Sequence, residues 1–175
     1  MTLLAGSDEK RHLPKTVQIV EMAKRTAMSM KKEAYLVLDA YFSVGPVFLA
    51  AAEKLNGVSN FIHILTRAKK NIVAYGKPPK KDSHKRGPAK KYGKKIKLME
   101  LFDSTAQCYR FQTIEADIYG QTETVRYIVL NLLWKPVKGM LRFILVETSR
   151  GRIILMTSDL KLNPITAIQL YCRRV

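Results

Sequence analysis

The sequence predicts an α/β fold in which a partial mixed sheet carries helices and is interrupted by an antiparallel β-rich insertion. Helical and strand-like patterns alternate over residues 14–70, a basic Pro/Gly-rich stretch follows at 77–97, and strand-like runs then continue almost to the last helix. With 175 residues, 47% of them hydrophobic, the chain suits a single domain with a sizeable core.

The first part of the chain predicts four elements in the order α-β-α-β: a helix over 14–32, a strand over 34–42, a helix over 45–57 and a strand over 61–65. Pro14 suits the first turn of a helix, and apolar residues follow it at helical spacing. The run AYLVLDAYF has the length and the β-branched and aromatic content of a buried strand. Gly57 is a plausible helix stop. This order is typical of parallel strands joined by crossover helices.

Residues 77–97 break this pattern. They contain ten Lys or Arg residues and one acid, so they contribute +9 of the net charge of +17. Their prolines and glycines exclude a packed helix or a central strand, so a mobile basic loop is predicted. Two interpretations of the loop remain open: a solvated charge run, and a contact surface for DNA phosphates that ignores base sequence.

Strands dominate the rest of the chain. They are predicted over 110–120, 122–134, 140–149 and 150–158. The connections YGQ and SRG are typical of hairpin turns. The last segment predicts a helix that starts near Asn163 with Pro164 at its first position.

The charge of the chain favours a polyanionic partner. Lys and Arg number 31 against 14 Asp and Glu, and the pI is near 10. Nucleic acid is the default partner for such a surface, whereas membrane binding needs a basic amphipathic helix that the sequence does not clearly show. No apolar run is long enough to span a membrane, and the first residues lack the apolar core of a secretory signal. Cys108 and Cys172 lack the spacing of a zinc site and indicate reduced thiols of a cytoplasmic protein.

Asp39 stands at the end of the most strand-like run and allows two interpretations. It can cap the following helical segment by accepting backbone N–H groups. It can also be a metal ligand, because functional carboxylates often follow the carboxyl ends of strands that open onto a cleft. A two-metal phosphoryl-transfer site needs several carboxylates, so a single Asp does not decide between them.

Three segments, YLVLDAYFSVGPVFLAA, FIHILTRAKKN and ILMTSDLKLNPITAIQLYCRR, occur in this order. Together they resemble the catalytic domain of bacterial insertion-sequence transposases of the DDE type, in the branch with a β-rich insertion. The resemblance extends from about Lys15 to Arg174. It implies a ribonuclease-H-like core built from about 14–70 and 151–175, an insertion over about 71–150, and Mg²⁺-dependent DNA strand cleavage and strand transfer at transposon ends, with Mn²⁺ as a substitute metal.

The resemblance also implies roles for single residues. Asp39 matches the second of the family's three metal-binding, catalytic acids, and Arg67, Lys69 and Lys70 match a basic stretch that follows the next strand. Tyr171 and Arg174 match a Tyr-x-x-Arg pattern on the terminal helix that the family places near DNA. Trp134 resembles a tryptophan thought to stack on a flipped base, and a core role is the alternative. The DNA-binding residues expected in the basic loop are Lys80, Lys81, Lys85, Arg86, Lys90 and Lys91.

The sequence departs from the family at two acids. The family's first Asp lies on a strand before the first helix, and its final Glu lies beyond Val175. Asp159, which resembles an active-site acid locally, is expected to be a helix-entry residue instead. We therefore expect a chain truncated at both ends that is inactive alone. A non-catalytic nucleic-acid-binding remnant and an RNA-binding protein are the alternatives.

The resemblance further implies the partner and the location of the protein. Double-stranded DNA is the expected partner, with no membrane association. A homodimer is a possible assembly of a full-length enzyme. The expected location is the bacterial cytoplasm, in association with the nucleoid.

Overall fold

The described part of the chain forms a mixed α/β fold around one mostly antiparallel sheet. The structure is a computed structural model, and it describes residues 13–53, 62–79, 88–106, 108–118 and 120–173. Its helices and strands are α1 Lys15–Met30, β1 Ala34–Leu38, α2 Gly45–Ala52, β2 Ile62–Arg67, β3 Val73–Tyr75, β4 Lys95–Lys97, β5 Gln112–Ile118, β6 Gln121–Trp134, β7 Gly139–Thr148, β8 Gly151–Thr157 and α3 Pro164–Cys172. Short 3₁₀ helices cover Ala40–Phe42, Leu98–Asp103 and Lys135–Val137.

The predicted α-β-α-β start is confirmed. Strands β1 and β2 pair in parallel, from Ala34 opposite Ile62 to Leu38 opposite Thr66. Helix α2 lies between them in the chain, so the connection is a crossover. Strand β1 is shorter than predicted, because the backbone turns into a 3₁₀ helix directly after Asp39.

The sheet runs in the order β1-β2-β8-β7-β6-β3-β4, and β5 pairs with β6. Strand β8 lies between β2 and β7, and both pairs are antiparallel. The strands of the predicted core and of the predicted insertion therefore share hydrogen bonds in one sheet. Both predicted hairpin turns are present, with positive φ angles at Gly120 (+75°) and Gly151 (+119°). Glycine suits these positions because it has no Cβ to clash in that conformation.

The prediction of a loop throughout 77–97 is wrong at its carboxyl end. Lys95–Lys97 form β4, which pairs antiparallel with β3, a strand that the sequence did not predict. Ile96 is buried between its two lysine neighbours, which are exposed. One apolar side chain among cations is too weak a pattern to indicate a strand without the partner strand. Residues 80–87 lie outside the described residues.

Helices cover both faces of the sheet. Phe143 and Ile144 are neighbours on β7, both are completely buried, and each belongs to a different hydrophobic cluster. The cluster of Phe143 includes Val20 of α1 and Phe48 of α2, and the cluster of Ile144 includes Ile168 of α3. Because side chains alternate between the faces of a strand, the sheet is enclosed between α1 and α2 on one side and α3 on the other.

Cys108 is exposed and Cys172 is buried, and neither is in a disulfide bond. None of the helices in the described residues is long and apolar enough to cross a membrane.

Candidate nucleic-acid interface

Asp39 follows β1 directly and caps the 3₁₀ helix Ala40–Phe42. Its Oδ1 accepts a hydrogen bond from the backbone N–H of Ala40 at 2.7 Å. The side chain is exposed, and β1 is an edge strand of the sheet as described, not a central one. The capping interpretation is therefore realised. The role as metal ligand stays a prediction.

The parallel pair brings Asp39 next to a set of cations. The hydroxyl of Thr66, completely buried on β2, donates to the backbone carbonyl of Asp39 at 2.7 Å. Arg67 comes next and is the last residue of β2, so Asp39 and Arg67 lie at the carboxyl ends of neighbouring parallel strands. Lys69 and Lys70 come next and are exposed. The acid and the basic stretch that the sequence singled out thus lie at the same end of the β1–β2 pair.

An exposed aromatic ring lies beside this acid. Tyr41, two residues after Asp39, is 73% exposed, the largest value among the large hydrophobic side chains of the described residues. Its ring contacts Phe42 edge to face, with centroids 5.4 Å apart. An exposed acid, two exposed lysines and an exposed aromatic ring therefore all lie within a few residues of the end of the β1–β2 pair.

The acids in the described part of the chain are spread over separate places. Among the described residues, no group of three or more His, Cys, Asp or Glu side chains is placed to hold a metal ion. Asp159, the other candidate acid, is used elsewhere: its Oδ1 accepts from the backbone N–H of Lys161 at 2.7 Å and its Oδ2 from the hydroxyl of Tyr35 at 2.6 Å. These contacts agree with its expected place before the last helix, whose N-cap is Asn163, with Pro164 at the first position.

Tyr35, His63 and Asp159 form a titratable cluster that the sequence did not predict. The rings of Tyr35 and His63 stack with centroids 5.5 Å apart. Burial and the hydrogen bond to Asp159 raise the pKa of Tyr35 to about 12. Burial alone would raise the pKa of Asp159, but the hydrogen bonds from Tyr35 and from backbone N–H groups, together with His63, bring that pKa below its usual value. The cluster ties the loop before α3 to strands β1 and β2.

Removing the Tyr35 hydroxyl should destabilise the fold. We expect Tyr35→Phe to lower the free energy of unfolding by about 1–3 kcal/mol at pH 7, because a partly buried carboxylate loses a hydrogen-bond donor. The contribution of Asp159 is complete above its pKa in the unfolded chain, 3.8, and is lost as pH falls through the lower folded pKa. The difference between the wild type and the variant should therefore shrink in strong acid.

Urea denaturation at pH 7 and at pH 3 measures both effects. Tyr41→Phe is the matched control, since it removes the same hydroxyl from a mostly exposed ring and should change stability by less than about 0.5 kcal/mol. A Tyr35→Phe variant as stable as this control at pH 7 would contradict the assigned hydrogen bond.

The structure describes only the two ends of residues 77–97, here called the basic segment. Lys90 and Lys91 are exposed, as DNA contact requires. The other predicted contacts of this segment lie outside the described residues: Lys80, Lys81, Lys85 and Arg86. The two described ends are joined, because Gly76 N–H donates to Lys94 O at 3.0 Å and Gly93 N–H donates to Gly76 O at 2.9 Å. The segment therefore leaves the sheet and returns to it at one place.

The remaining predicted site residues are mostly buried. Trp134 is 7% exposed, and its ring packs edge to face on Phe48 with centroids 5.6 Å apart, which favours the core role over stacking on a base. Tyr171 is 8% exposed and belongs to the cluster under α3. Arg174 lies outside the described residues, so its distance from Asp39 stays untested.

Sequence reasoning missed one cluster on this surface. The ammonium group of Lys135 lies 4.4 Å from the ring centroid of Tyr75 and 5.5 Å from that of Tyr92. Tyr92 is the one aromatic residue of 77–97 in the sequence, and its ring centroid is 5.3 Å from that of Tyr75. The three residues are far apart in the sequence, and no local pattern connects them.

Comparisons of the chain with protein-family models, with curated protein sequences and with solved structures find no match. The geometry around Asp39 and the distribution of charge are therefore the observations from which a function can be inferred.

Proposed function

We propose that this chain is a DNA-binding part of a DDE-type transposase catalytic domain with a ribonuclease-H-like core. One observation carries the proposal: the parallel β1–β2 pair sets Asp39 beside Arg67 at the ends of neighbouring strands. This arrangement places a carboxylate at the carboxyl end of one strand and cations at the end of its neighbour. It is suited to binding a phosphodiester. The resemblance around the same residues supports it.

The charge distribution supports a nucleic-acid partner. Four Lys or Arg residues occur in 62–79 and five in 88–97, and neither stretch contains an Asp or a Glu. The two stretches meet where β3 pairs with β4, whereas Arg67, Lys69 and Lys70 lie at the end of β2, which β8, β7 and β6 separate from β3 in the sheet order. A surface of one sign neutralises phosphates and releases counterions from duplex DNA, which provides affinity without base recognition.

The proposal is for binding and not for cleavage by this chain alone. A two-metal site needs several carboxylates around ions about 4 Å apart. Asp39 supplies one, and the described residues bring no group of three metal-holding side chains together. We therefore derive no catalytic step. In an intact enzyme, Asp39 would be one of the ligands of Mg²⁺, or of Mn²⁺ in its place.

Two measurements test the proposal. By fluorescence anisotropy, the purified chain should bind a labelled duplex of arbitrary sequence with a Kd of about 10⁻⁶ to 10⁻⁴ M at physiological salt. With Mg²⁺ or Mn²⁺ present, it should leave supercoiled plasmid intact. Metal-dependent nicking that disappears in Asp39→Ala would show that the chain is itself catalytic. Much tighter binding to RNA than to duplex DNA of equal length would favour the RNA-binding alternative.

A further inference from the structure

Lys135 is held in an unusual place for a surface lysine. Its side chain is exposed, yet its ammonium group lies over the ring of Tyr75 at 4.4 Å and near the ring of Tyr92 at 5.5 Å. Aromatic rings attract a cation through their negative faces. Within the described residues, no carboxylate forms an ion pair with this ammonium group. Lys135 is thus positioned by rings, and none of the described acids forms an ion pair with it.

Two backbone contacts hold this cluster. Tyr75 ends β3 and pairs with Leu133 of β6, two residues before Lys135. Next to Tyr92, the N–H of Gly93 donates to the carbonyl oxygen of Gly76. Gly93 permits this approach because a Cβ on it would collide with the carbonyl oxygen of Lys77. Backbone contacts therefore hold the chain segments that carry both rings.

The surroundings of the cluster are basic and come from two parts of the chain. One part is the returning end of the basic segment, with exposed lysines at positions 90, 91, 94 and 95. The other part is the β6–β7 turn, which brings Lys135. Tertiary structure thus adds a cation of the β6–β7 turn to a surface that the sequence assigned to 77–97 alone.

We propose that Lys135, whose ammonium group lies over the rings of Tyr75 and Tyr92, is a binding site for a backbone phosphate of nucleic acid. An ammonium group already held in place loses less side-chain entropy when it binds a phosphate than a freely rotating lysine does. Its three N–H groups can donate hydrogen bonds to phosphate oxygens. A contact of this kind does not depend on the base sequence. This inference rests on the proposed DNA binding and adds to it a specific anchoring residue outside the basic segment.

Salt-dependent binding of single-site variants tests the site. Lys135→Gln should weaken binding of a labelled duplex severalfold at low salt. It should also reduce the slope of log K against log salt by about 0.9, the value for one lost phosphate contact. Lys138→Gln is the matched control, because it removes an equal charge from the same turn at a residue that is not seated on the rings. It should change the slope clearly less. Equal effects of both variants would show a general charge effect and overturn the site.

Ring variants separate positioning from charge. Tyr75→Phe keeps the ring under the ammonium group and should bind as the wild type does, whereas Tyr75→Leu should lose part of the affinity that Lys135→Gln loses. Thermal melts verify that each variant is folded. Equal affinity of the folded Phe and Leu variants would overturn the role of the rings.

A competition experiment identifies the source of the phosphate. Inorganic phosphate, at matched ionic strength, should displace the duplex no better than chloride does. Displacement by low millimolar phosphate that is lost in Lys135→Gln would assign the site to free phosphate and overturn the inference. If the wild type binds no DNA at all, the proposed function fails. If it binds DNA and Lys135→Gln leaves the salt slope unchanged, only this inference fails.

Discussion

A variant with six basic residues of the 77–97 segment replaced by Gln should lose most of its salt-dependent affinity for duplex DNA. The segment carries +9 of the net +17, so it should contribute the largest share of phosphate contacts. Each lost contact reduces the slope of log K against log salt by roughly 0.9, so the full variant should flatten the slope by several units. The replaced residues are Lys80, Lys81, Lys85, Arg86, Lys90 and Lys91.

Fluorescence anisotropy at several salt concentrations measures this slope. Binding should weaken for all duplex sequences alike, because phosphate contacts carry no base information. The fold should stay nearly intact, since Lys90 and Lys91 are exposed and Pro/Gly-rich surface loops add little to a core. An unchanged slope would mean that the segment is a solvated linker and that DNA contacts other surfaces.

A smaller matched pair controls for total charge. Lys90→Gln/Lys91→Gln removes two charges from the basic segment, and Lys31→Gln/Lys32→Gln removes two exposed charges from the end of α1. If the interface lies where we propose, the first pair should reduce the slope by about 2 and the second by much less. Equal changes would indicate that net charge alone governs binding.

Truncating the centre of the sheet should have the largest effect on stability. Phe143 is completely buried on β7, between β6 and β8, and it packs in the cluster that α1 and α2 cover. Phe143→Ala should lower the free energy of unfolding by about 3–5 kcal/mol, because it removes buried area and leaves a cavity that the paired strands cannot fill. Urea denaturation measures the change.

The neighbouring residue tests whether the sheet is covered on both faces. Ile144 is also completely buried, on the face that α3 covers. Ile144→Ala should therefore lower the free energy of unfolding by about 2–5 kcal/mol. Leu49→Ala on α2 serves as the control, since Leu49 is 45% exposed and should cost far less. A small loss of stability in Ile144→Ala together with a large loss in Phe143→Ala would mean that α3 does not cover its face of the sheet.

Local sequence determined the regular elements with strong patterns. Apolar spacing and Pro14 predicted α1, and Asn163 followed by Pro164 predicted the start of α3, where the Asn163 side chain accepts from the N–H groups of Ile165 and Thr166. The long strands β6, β7 and β8 were predicted within a residue or two of their observed ends. These elements have enough residues for periodicity and end signals to outweigh their surroundings.

The short elements depended on partners elsewhere in the chain. Strands β3 and β4 have three residues each, and β4 is two lysines around Ile96. Each exists because it hydrogen-bonds to the other, and β3 also to β6. A hydrogen-bonded partner that is distant in sequence leaves no local signal, so β3 was not predicted and β4 was assigned to the basic loop.

The candidate site divides in the same way. The sequence alone determined that Asp39 comes at the end of a strand, that Arg67 lies near the end of the next strand, and that the charge favours a polyanion, because these properties reside in contiguous residues. Only the tertiary structure decided that Asp39 and Arg67 lie on neighbouring parallel strands, that Trp134 is buried against Phe48, and that Lys135 sits on the rings of Tyr75 and Tyr92. Strand order and packing set those contacts, and both arise from burial of the whole sheet between helices and not from any local stretch.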